Sequence, residues 1–199
     1  MASKSGVESV ERSIWQLHIS LKHSDPPIWR RVLVPASITL ETLDGVIQLS
    51  LNWDNSHLHE FRIKTLPNPD PDDVFESDGF EPPIDAYETE VTLAESGLKR
   101  GNKFQYIYDF GDDWLHDIKV EKMLERDPEM KYPVCIEAAG AAPPEDCGGL
   151  WGYYDMLEAI ADPEHPEHED YLEWWGDNTL DPDAVDVDAI NERLSRMKL

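Results

Sequence analysis

The feature that most constrains the fold is a segment of alternating residues, 104–120, that is broken once by Gly111-Asp112-Asp113. Side chains alternate across a β-strand, so residues two apart in the chain point to the same face. In the first half that face is aromatic: Phe104, Tyr106, Tyr108 and Phe110. In the second half it is apolar and includes one histidine: Trp114, His116, Ile118 and Val120. Because Gly and Asp favour tight turns, the segment predicts a β-hairpin whose return strand ends near Glu121.

Three strands and one helix are predicted before this hairpin. Apolar residues alternate with polar ones over 15–21, and 28–34 has the composition of a strand that stops at Pro35. Thr39 is predicted to cap a helix whose apolar stripe follows helical spacing. The stripe consists of Leu40, Leu43, Val46, Ile47, Ser50 and Leu51. A further strand is predicted over 57–64.

The second half of the chain is predicted to end in helices. Thr92-Leu93-Ala94-Glu95 matches a capping box, which predicts a short helix to about Lys99. Residues 131–150 are rich in Pro, Gly and Ala and predict an ordered loop. Helices are predicted over 153–160, over 166–175 and from Asp188 to about Met197. Strands first and helices last favour an α+β fold, with a mainly antiparallel sheet, helices packed on it and a helical C-terminal part.

The length and composition predict a single domain. Residues 1–12 are expected to be a flexible tail, and residues 13–197 to form one α+β domain. Residues 67–90 contain nine Asp or Glu, five Pro and no Lys or Arg, which is typical of an acidic loop excursion from the domain.

The chain is strongly acidic, with 42 Asp and Glu against 17 Lys and Arg and a formal net charge of -25. This charge opposes direct binding of nucleic acid by the chain alone, because phosphate backbones are bound mainly through Lys and Arg. Basic proteins or divalent cations are better matched partners. The N-terminus has no apolar core of a signal peptide, and no window has the roughly 18 apolar residues of a membrane span. Together with only two cysteines, this predicts a cytoplasmic protein that does not act at a membrane.

The histidines of the predicted strands are the first candidate site. His57 and His59 are in phase with Phe61 and Ile63, and His116 is in phase with the apolar face of the hairpin. A buried imidazole needs a partner, and three such nitrogens can hold one divalent metal ion. A hydrogen-bonded core, with no metal cofactor, is the favoured alternative.

Two acidic motifs are predicted to lie near these histidines. Asp109, Asp112 and Asp113 surround the hairpin turn, where they can bind a hard cation or, as the favoured interpretation, simply build the turn. Glu145, Asp146 and Cys147 follow two prolines and precede two glycines.

In the second motif, Cys147 can be a nucleophile or join Cys135 as a soft metal ligand, but neighbouring acids raise a thiol pKa. A structural loop is therefore favoured. The carboxylates of Glu145 and Asp146 are predicted partners of Arg30, of Arg31 or of the buried imidazoles.

Four motifs occur in an order that resembles one known family. They are Pro26-Pro27-Ile28-Trp29-Arg30-Arg31, Trp53-Asp54-Asn55-Ser56-His57-Leu58-His59-Glu60-Phe61, Tyr106-Ile107-Tyr108-Asp109-Phe110-Gly111-Asp112-Asp113-Trp114-Leu115-His116 and Ala142-Pro143-Pro144-Glu145-Asp146-Cys147-Gly148-Gly149. The chain resembles, over about residues 13–195, the family named after the third open reading frame of a root-inducing (Ri) plasmid, also described as insertion-sequence passenger or TnpR-like. The resemblance implies an α+β fold and an association with mobile elements. It carries no established activity, and this chain has no clear serine- or tyrosine-recombinase site.

Three functions remain open from the sequence. The leading hypothesis is an acidic, non-enzymatic module that binds another protein. The second is a metal-dependent enzyme, a hydrolase or nuclease, that uses His57, His59 and His116 with Asp109, Asp112 or Glu145. The third is a DNA-mimicking inhibitor, whose carboxylates would have to be spaced like phosphates.

Overall fold

The computed structural model of the protein describes residues 13–66, 88–176 and 181–199. Within these ranges the chain forms six strands and four helices. The strands are β1 (Ile14–Leu21), β2 (Trp29–Pro35), β3 (His59–Arg62), β4 (Lys103–Tyr108), β5 (Trp114–Leu124) and β6 (Val134–Ala139). The helices are α1 (Leu40–Leu51), α2 (Gly149–Ala161), α3 (His168–Trp175) and α4 (Val187–Leu194).

The six strands form one antiparallel sheet in the order β3-β4-β5-β1-β2-β6. The predicted hairpin is confirmed as β4 and β5, with Tyr106 opposite His116 and Tyr108 opposite Trp114. The α+β class is confirmed as well. The sheet places β3, which follows the His57 motif, directly beside the aromatic strand β4.

The core lies between one face of the sheet and the helices. Trp15, Leu17 and Ile19 of β1 are fully buried, and they share this face with Trp114 and Tyr106 of the hairpin. Helix α1 covers the core through the predicted stripe, whose residues are all buried. Burial of such large side chains from water is the main stabilising contribution to the fold.

Helix α1 begins and ends as its sequence predicts. The Thr39 hydroxyl accepts a hydrogen bond from the backbone N–H of Thr42, which satisfies one of the free donors of the first turn. The helix ends at Asn52, which adopts a left-handed conformation with a φ of 60°. This sharp end directs the chain into the loop that carries Trp53 and His57.

Two predicted elements differ in the structure. The predicted loop over 131–150 contains strand β6, which pairs with β2. The Thr92 capping box forms its hydrogen bonds with Glu95 but starts only a turn. The reason is that Thr92 also pairs with Thr39 as an isolated β-bridge, and Gly97, with a φ of 73°, ends the turn at once.

The remaining differences are shifts of boundaries. The third strand starts at His59 and not at His57, so these two histidines do not share a strand face. Helix α2 begins at Gly149, before the predicted start, whereas α3 begins at His168. Helix α4 is capped by Asp186, whose side chain accepts from the N–H of Ala189.

Some predictions fall outside the described residues. The tail 1–12 and residues 67–87 of the acidic excursion are among them, so these assignments and the domain boundaries stay predictions. In the ranges that the structure describes, no helix combines the length and the apolar character needed to cross a bilayer.

Candidate functional site

One histidine and two carboxylates meet at the turn end of the β4–β5 hairpin. His57 Nδ1 lies 3.7 Å from Asp109 Oδ2, and His57 Nε2 lies 3.2 Å from Asp146 Oδ1. One ligand atom from each of the three residues lies within 4.8 Å of the others. His57 Nε2 makes no hydrogen bond with any described residue, because Asp146 is close but not aligned with the ring N–H. We call these three residues the His57 cluster.

The hairpin turn positions Asp109 in this cluster. Asp109 adopts a φ of 55°, and its backbone N–H donates to the carbonyl of Leu58, which fixes the His57 loop against the turn. Its Oδ1 accepts from the N–H of Gly111, as the predicted turn role requires, and this leaves Oδ2 directed to His57. The turn role and a ligand role are therefore compatible for Asp109.

Tyr108 and Glu145 hold the loop before His57 in place. The Tyr108 hydroxyl accepts hydrogen bonds from the N–H groups of Ser56, at 2.9 Å, and His57, at 3.3 Å, and it donates to Glu145 Oε1. Glu145 Oε2 accepts from the N–H of Asp54 at 2.7 Å. Burial and the adjacent Glu145 raise the pKa of Tyr108, so the phenol stays protonated. Both oxygens of Glu145 are thus engaged, which makes it a positioning group for the loop.

The loop that carries Asp146 packs against the same turn. Asp112 Oδ2 accepts from the N–H of Gly148, and a Cβ added at Gly149 would lie 2.5 Å from the Asp112 carbonyl oxygen. Such close backbone approach, at a φ of 69°, requires glycine at this position. Burial, followed by the charge of Asp112, raises the pKa of the Cys147 thiol to about 12. Cys147 is therefore a protonated thiol at neutral pH, without the character of an activated nucleophile.

His59 belongs to a separate, buried network. His59 Nε2 lies 2.7 Å from Glu88 Oε2, and His59 Nδ1 lies 3.6 Å from Asp44 Oδ1. Asp44 accepts from the Tyr106 hydroxyl at 2.5 Å, and that hydroxyl accepts from the Gln48 side-chain amide at 2.8 Å. Burial raises the pKa of Asp44, and the hydrogen bond from Tyr106 opposes this shift. We call His59, Asp44 and Glu88 the His59 cluster.

His116 lies deeper, inside the aromatic core. It is 1% exposed, and its Nδ1 lies 2.9 Å from the Trp114 carbonyl oxygen. The ring is packed between Trp53 and Tyr106, and its Nε2 makes no hydrogen bond with a described residue. Burial lowers the pKa of His116 to about 4, so the imidazole is neutral at neutral pH.

The predicted set of three histidines and three carboxylates is thus divided among different contacts. Only His57 and Asp109 of that set meet in one cluster, and Asp146 joins them there. Asp112 holds the Gly148 loop, Glu145 holds Tyr108, and Asp113 closes the turn by donating its N–H to the Asp109 carbonyl at 2.7 Å.

The predicted partners of the arginines also differ in the structure. Arg30 is buried against backbone carbonyl groups and forms no ion pair with a described carboxylate. Arg31 pairs with Glu121 and Glu137 on the other face of the sheet.

Sequence reasoning missed the polar residues that bind the histidine motifs from elsewhere in the chain. Asp44 and Gln48, which complete the buried network, lie four residues apart on α1 and are both buried. This spacing puts them on one side of the helix, in phase with Leu40 and Leu51. Two polar residues on an otherwise apolar stripe were the signal that could have identified the network.

Comparison with known proteins gives the family. Residues 13–189 match the model of the family described as "Plasmid pRiA4b ORF-3-like protein". The "Uncharacterized protein y4hQ" of Sinorhizobium fredii (strain NBRC 101917 / NGR234) is 40% identical over 183 residues, which are 92% of this chain and 91% of that protein. The crystal structure of "Protein of Unknown Function MM3350 from Methanosarcina mazei Go1" has a TM-score of 0.74 and 36% identity, and it covers 88% of this chain and 96% of its own. The resemblance of the four motifs is therefore confirmed: the chain belongs to the plasmid pRiA4b ORF-3-like protein family.

Proposed function

We propose that the protein is a non-enzymatic binding module that captures a basic, partly apolar segment of another protein at the turn end of the β4–β5 hairpin. The observation that carries this proposal is the exposure of three large apolar side chains there. Leu58 is 71% exposed, Phe110 is 54% exposed and Trp151 is 85% exposed. Exposed aromatic and aliphatic side chains in neighbouring segments are typical of protein interaction sites.

The three segments that carry these side chains are held together by contacts already described. Leu58 accepts from the N–H of Asp109, the residue before Phe110, at 2.9 Å. Gly149, two residues before Trp151, packs against the Asp112 carbonyl of the same turn. The three segments that carry the apolar side chains are therefore held rigidly to one another, which lowers the entropic cost of binding.

The charge around these side chains favours a basic partner. The segments 53–61, 104–118 and 141–161 contain no Lys or Arg, and they contribute Asp109, Asp112 and Asp146 to this end of the molecule. Complementary charge accelerates association and rejects acidic competitors. A basic segment with one or two apolar anchors fits both properties of the surface.

Affinity capture at low salt tests the proposal with a matched pair of tryptophan variants. The wild type, Trp151→Ala and Trp174→Ala are used as baits in lysate of the source cells, since Trp174 of α3 is also 51% exposed. We expect a partner that the wild type and Trp174→Ala both retain. Trp151→Ala should recover at least ~10-fold less of this partner, because a Trp that becomes buried at an interface is commonly a hot spot. Crosslinking should map the contact to a basic segment of that partner. Recovery of no specific partner, or equal recovery by both variants, would contradict the proposal.

The His57 cluster favours a second candidate, a divalent metal centre and with it the metal-dependent enzyme hypothesis. One imidazole and two carboxylates are a common donor set for zinc and related ions, and three protein ligands leave a position open for water. Asp109 Oδ2 and His57 Nε2, neither of which has a hydrogen bond to a described residue, are the atoms that support this assignment.

Metal analysis separates this candidate from the first. If the centre exists, protein purified without added metal contains about one equivalent of a divalent ion, and His57→Ala loses it. His116→Asn is the control, because His116 lies in the core and makes its contact with the Trp114 carbonyl. Absence of stoichiometric metal from the wild type, or its loss from both variants alike, would reject the metal centre.

A further inference from the structure

A cavity of about 430 Å³ lies beside the C-terminal end of α1, on the side of α4. Its lining includes Arg30, Asn52, Pro144, Trp175, Ile190 and Arg193. The volume is in the range of sites for small organic ligands. Its walls combine apolar and polar groups, and they include two arginines and three carboxylates in a chain with a net charge of -25.

Arg30 is 2% exposed and has no carboxylate partner among the described residues. Its Nε donates to the Ser50 carbonyl at 3.0 Å. Its Nη1 donates to the carbonyls of Trp29, Ala139 and Gly140. Burial lowers its pKa to about 10, which still leaves the guanidinium charged at neutral pH. The second terminal nitrogen, Nη2, forms no hydrogen bond within the described ranges.

Arg193 reaches the same cavity from α4. Its Nε donates to the Leu49 carbonyl at 2.9 Å, and its two terminal nitrogens have no hydrogen bond in the part of the chain that is described. The last turn of α1 has no basic residue of its own. Arg30 and Arg193 therefore each supply one donor, the Nε, to its terminal carbonyl groups. The Nη1 of Arg30 is used by carbonyl groups outside α1, so Nη2 of Arg30 and both terminal nitrogens of Arg193 remain without a described partner.

The other polar groups of the cavity differ in whether they have hydrogen-bond partners. The indole N–H of Trp175 has no acceptor among the described residues. Of the three lining carboxylates, Glu145 accepts from Tyr108 and Asp54, and Asp186 caps α4 by accepting from Ala189. The third, Asp54, is exposed. In the buried part of the cavity, the groups without a described hydrogen-bond partner are thus N–H donors. A ligand that accepts hydrogen bonds would satisfy them.

We propose that this cavity binds a small organic oxyanion, a carboxylate or a phosphate monoester with an apolar body. The free guanidinium nitrogens of Arg30 and Arg193 hold the oxyanion. Pro144, Trp175 and Ile190 contact the apolar body. Guanidinium groups suit this role because their planar donors match the oxygens of carboxylate and phosphate.

Calorimetric titration with matched probes tests the proposal. Benzoate and phenyl phosphate present the two oxyanions on one apolar body, benzamide is the neutral control, and inorganic phosphate and acetate lack the body. We expect benzoate or phenyl phosphate to bind with a Kd below about 1 mM and ~10-fold more tightly than benzamide. The stronger of the two identifies the oxyanion class.

Variants of α4 place the binding in the cavity. Arg193→Met should weaken binding by ~10-fold, whereas Arg196→Met should not, because Arg196 is 70% exposed, pairs with Glu192 and lies outside the cavity. Ala189→Leu narrows the cavity while keeping both arginines, and it should abolish binding even if Arg193→Met folds poorly. The proposal is overturned if neither aromatic oxyanion binds below about 1 mM, if benzamide binds as well, or if Ala189→Leu leaves the affinity unchanged.

Discussion

The His59 cluster and the His57 cluster have the same chemical groups, one imidazole and two carboxylates, but different surroundings. In the His59 cluster the side chains of Asp44 and Glu88 are 3% and 7% exposed, and the closest nitrogen–oxygen distance is 2.7 Å. In the His57 cluster the imidazole is 30% exposed and Asp146 is 72% exposed, and His57 Nε2 has no hydrogen bond to a described residue. Burial and the short His59–Glu88 contact make the first cluster structural. In the second, a partly exposed ring and a nitrogen without a hydrogen bond to any described residue favour binding of a ligand.

Backbone geometry explains how histidines two residues apart reach such different positions. On one continuous strand His57 and His59 would point to the same face. Strand β3 begins only at His59, and the loop before it is fixed by the Tyr108 hydroxyl, so His57 turns toward Asp146. The start of the strand therefore separates the buried cluster from the accessible one.

The largest expected effect is a difference in stability between two variants, each of which replaces the histidine of one cluster. His59→Ala removes the partner of two buried carboxylates and should lower the free energy of unfolding by about 3 to 5 kcal/mol. His57→Ala should lower it by less than about 1 kcal/mol, because the ring is partly exposed and forms no well-aligned hydrogen bond with the described part of the chain. Urea denaturation of both variants measures the difference. Equal losses would show that the two clusters are equally structural.

A second prediction concerns the pH dependence that the buried His116 confers. Because its pKa in the folded protein is about 4, against 6.5 for an ordinary histidine, the unfolded chain binds the proton first as the pH falls. Its contribution to stability is complete above pH 6.5 and is lost as the pH falls from 6.5 to about 4, by about 3 kcal/mol at most. Asp44, whose pKa is raised by burial, gives a dependence of opposite sign.

The His116→Asn variant isolates this contribution, because an asparagine amide can still donate to the Trp114 carbonyl. Unfolding free energies of the wild type and the variant, measured from pH 7 to pH 4, should converge as the pH falls. Parallel curves would mean that His116 is not neutral and desolvated in the folded state. The half-buried His18, whose pKa burial also lowers, provides a weaker comparison through His18→Asn.

The sequence predicted the parts of the fold that depend on alternation. Alternating residues identified β1 and the β4–β5 hairpin, composition identified β2, and the N-cap Thr39 with its apolar stripe identified α1. Strand β6 was missed because its first three residues do not alternate with polar ones, alanines end it, and it lies between Pro133 and Gly140. The Thr92 capping box gave a wrong helix, since pairing with Thr39 is a tertiary contact that local sequence does not encode.

The sequence predicted which residues belong to the candidate site, but not which of them lie together. His57, Asp109 and Asp146 were all selected, each in a different motif, but their grouping depends on where β3 starts and on the backbone of Gly149 against Asp112. His116 was correctly placed on the apolar face of the hairpin. Because His116 lies on that face, it is buried in the core, away from His57.

A third prediction sharpens the account of how the His57 cluster is held. Gly149→Ala and Gly101→Ala both place alanine at a positive φ, 69° and 89°. A Cβ at Gly101 meets no described atom within 4 Å, whereas a Cβ at Gly149 lies 2.5 Å from the Asp112 carbonyl oxygen. We expect a loss of about 1 kcal/mol for Gly101→Ala and about 2 kcal/mol or more for Gly149→Ala. Thermal unfolding measures both losses of stability. Similar losses would indicate that the contact between the loop and the turn does not stabilise the fold.

The smallest expected effect tests whether the thiol beside the His57 cluster is reactive. Because the pKa of Cys147 is raised to about 12, its thiolate fraction at neutral pH should be ~1000-fold below that of an ordinary cysteine. In a Cys135→Ser background, iodoacetamide should therefore alkylate Cys147 slowly, and Asp112→Asn should accelerate the reaction by only a few fold, since burial is the larger cause of the raised pKa. Mass spectrometry follows the rate. Rapid alkylation of the native protein would instead make Cys147 a candidate nucleophile and would turn this end of the molecule from a binding surface into a candidate catalytic site.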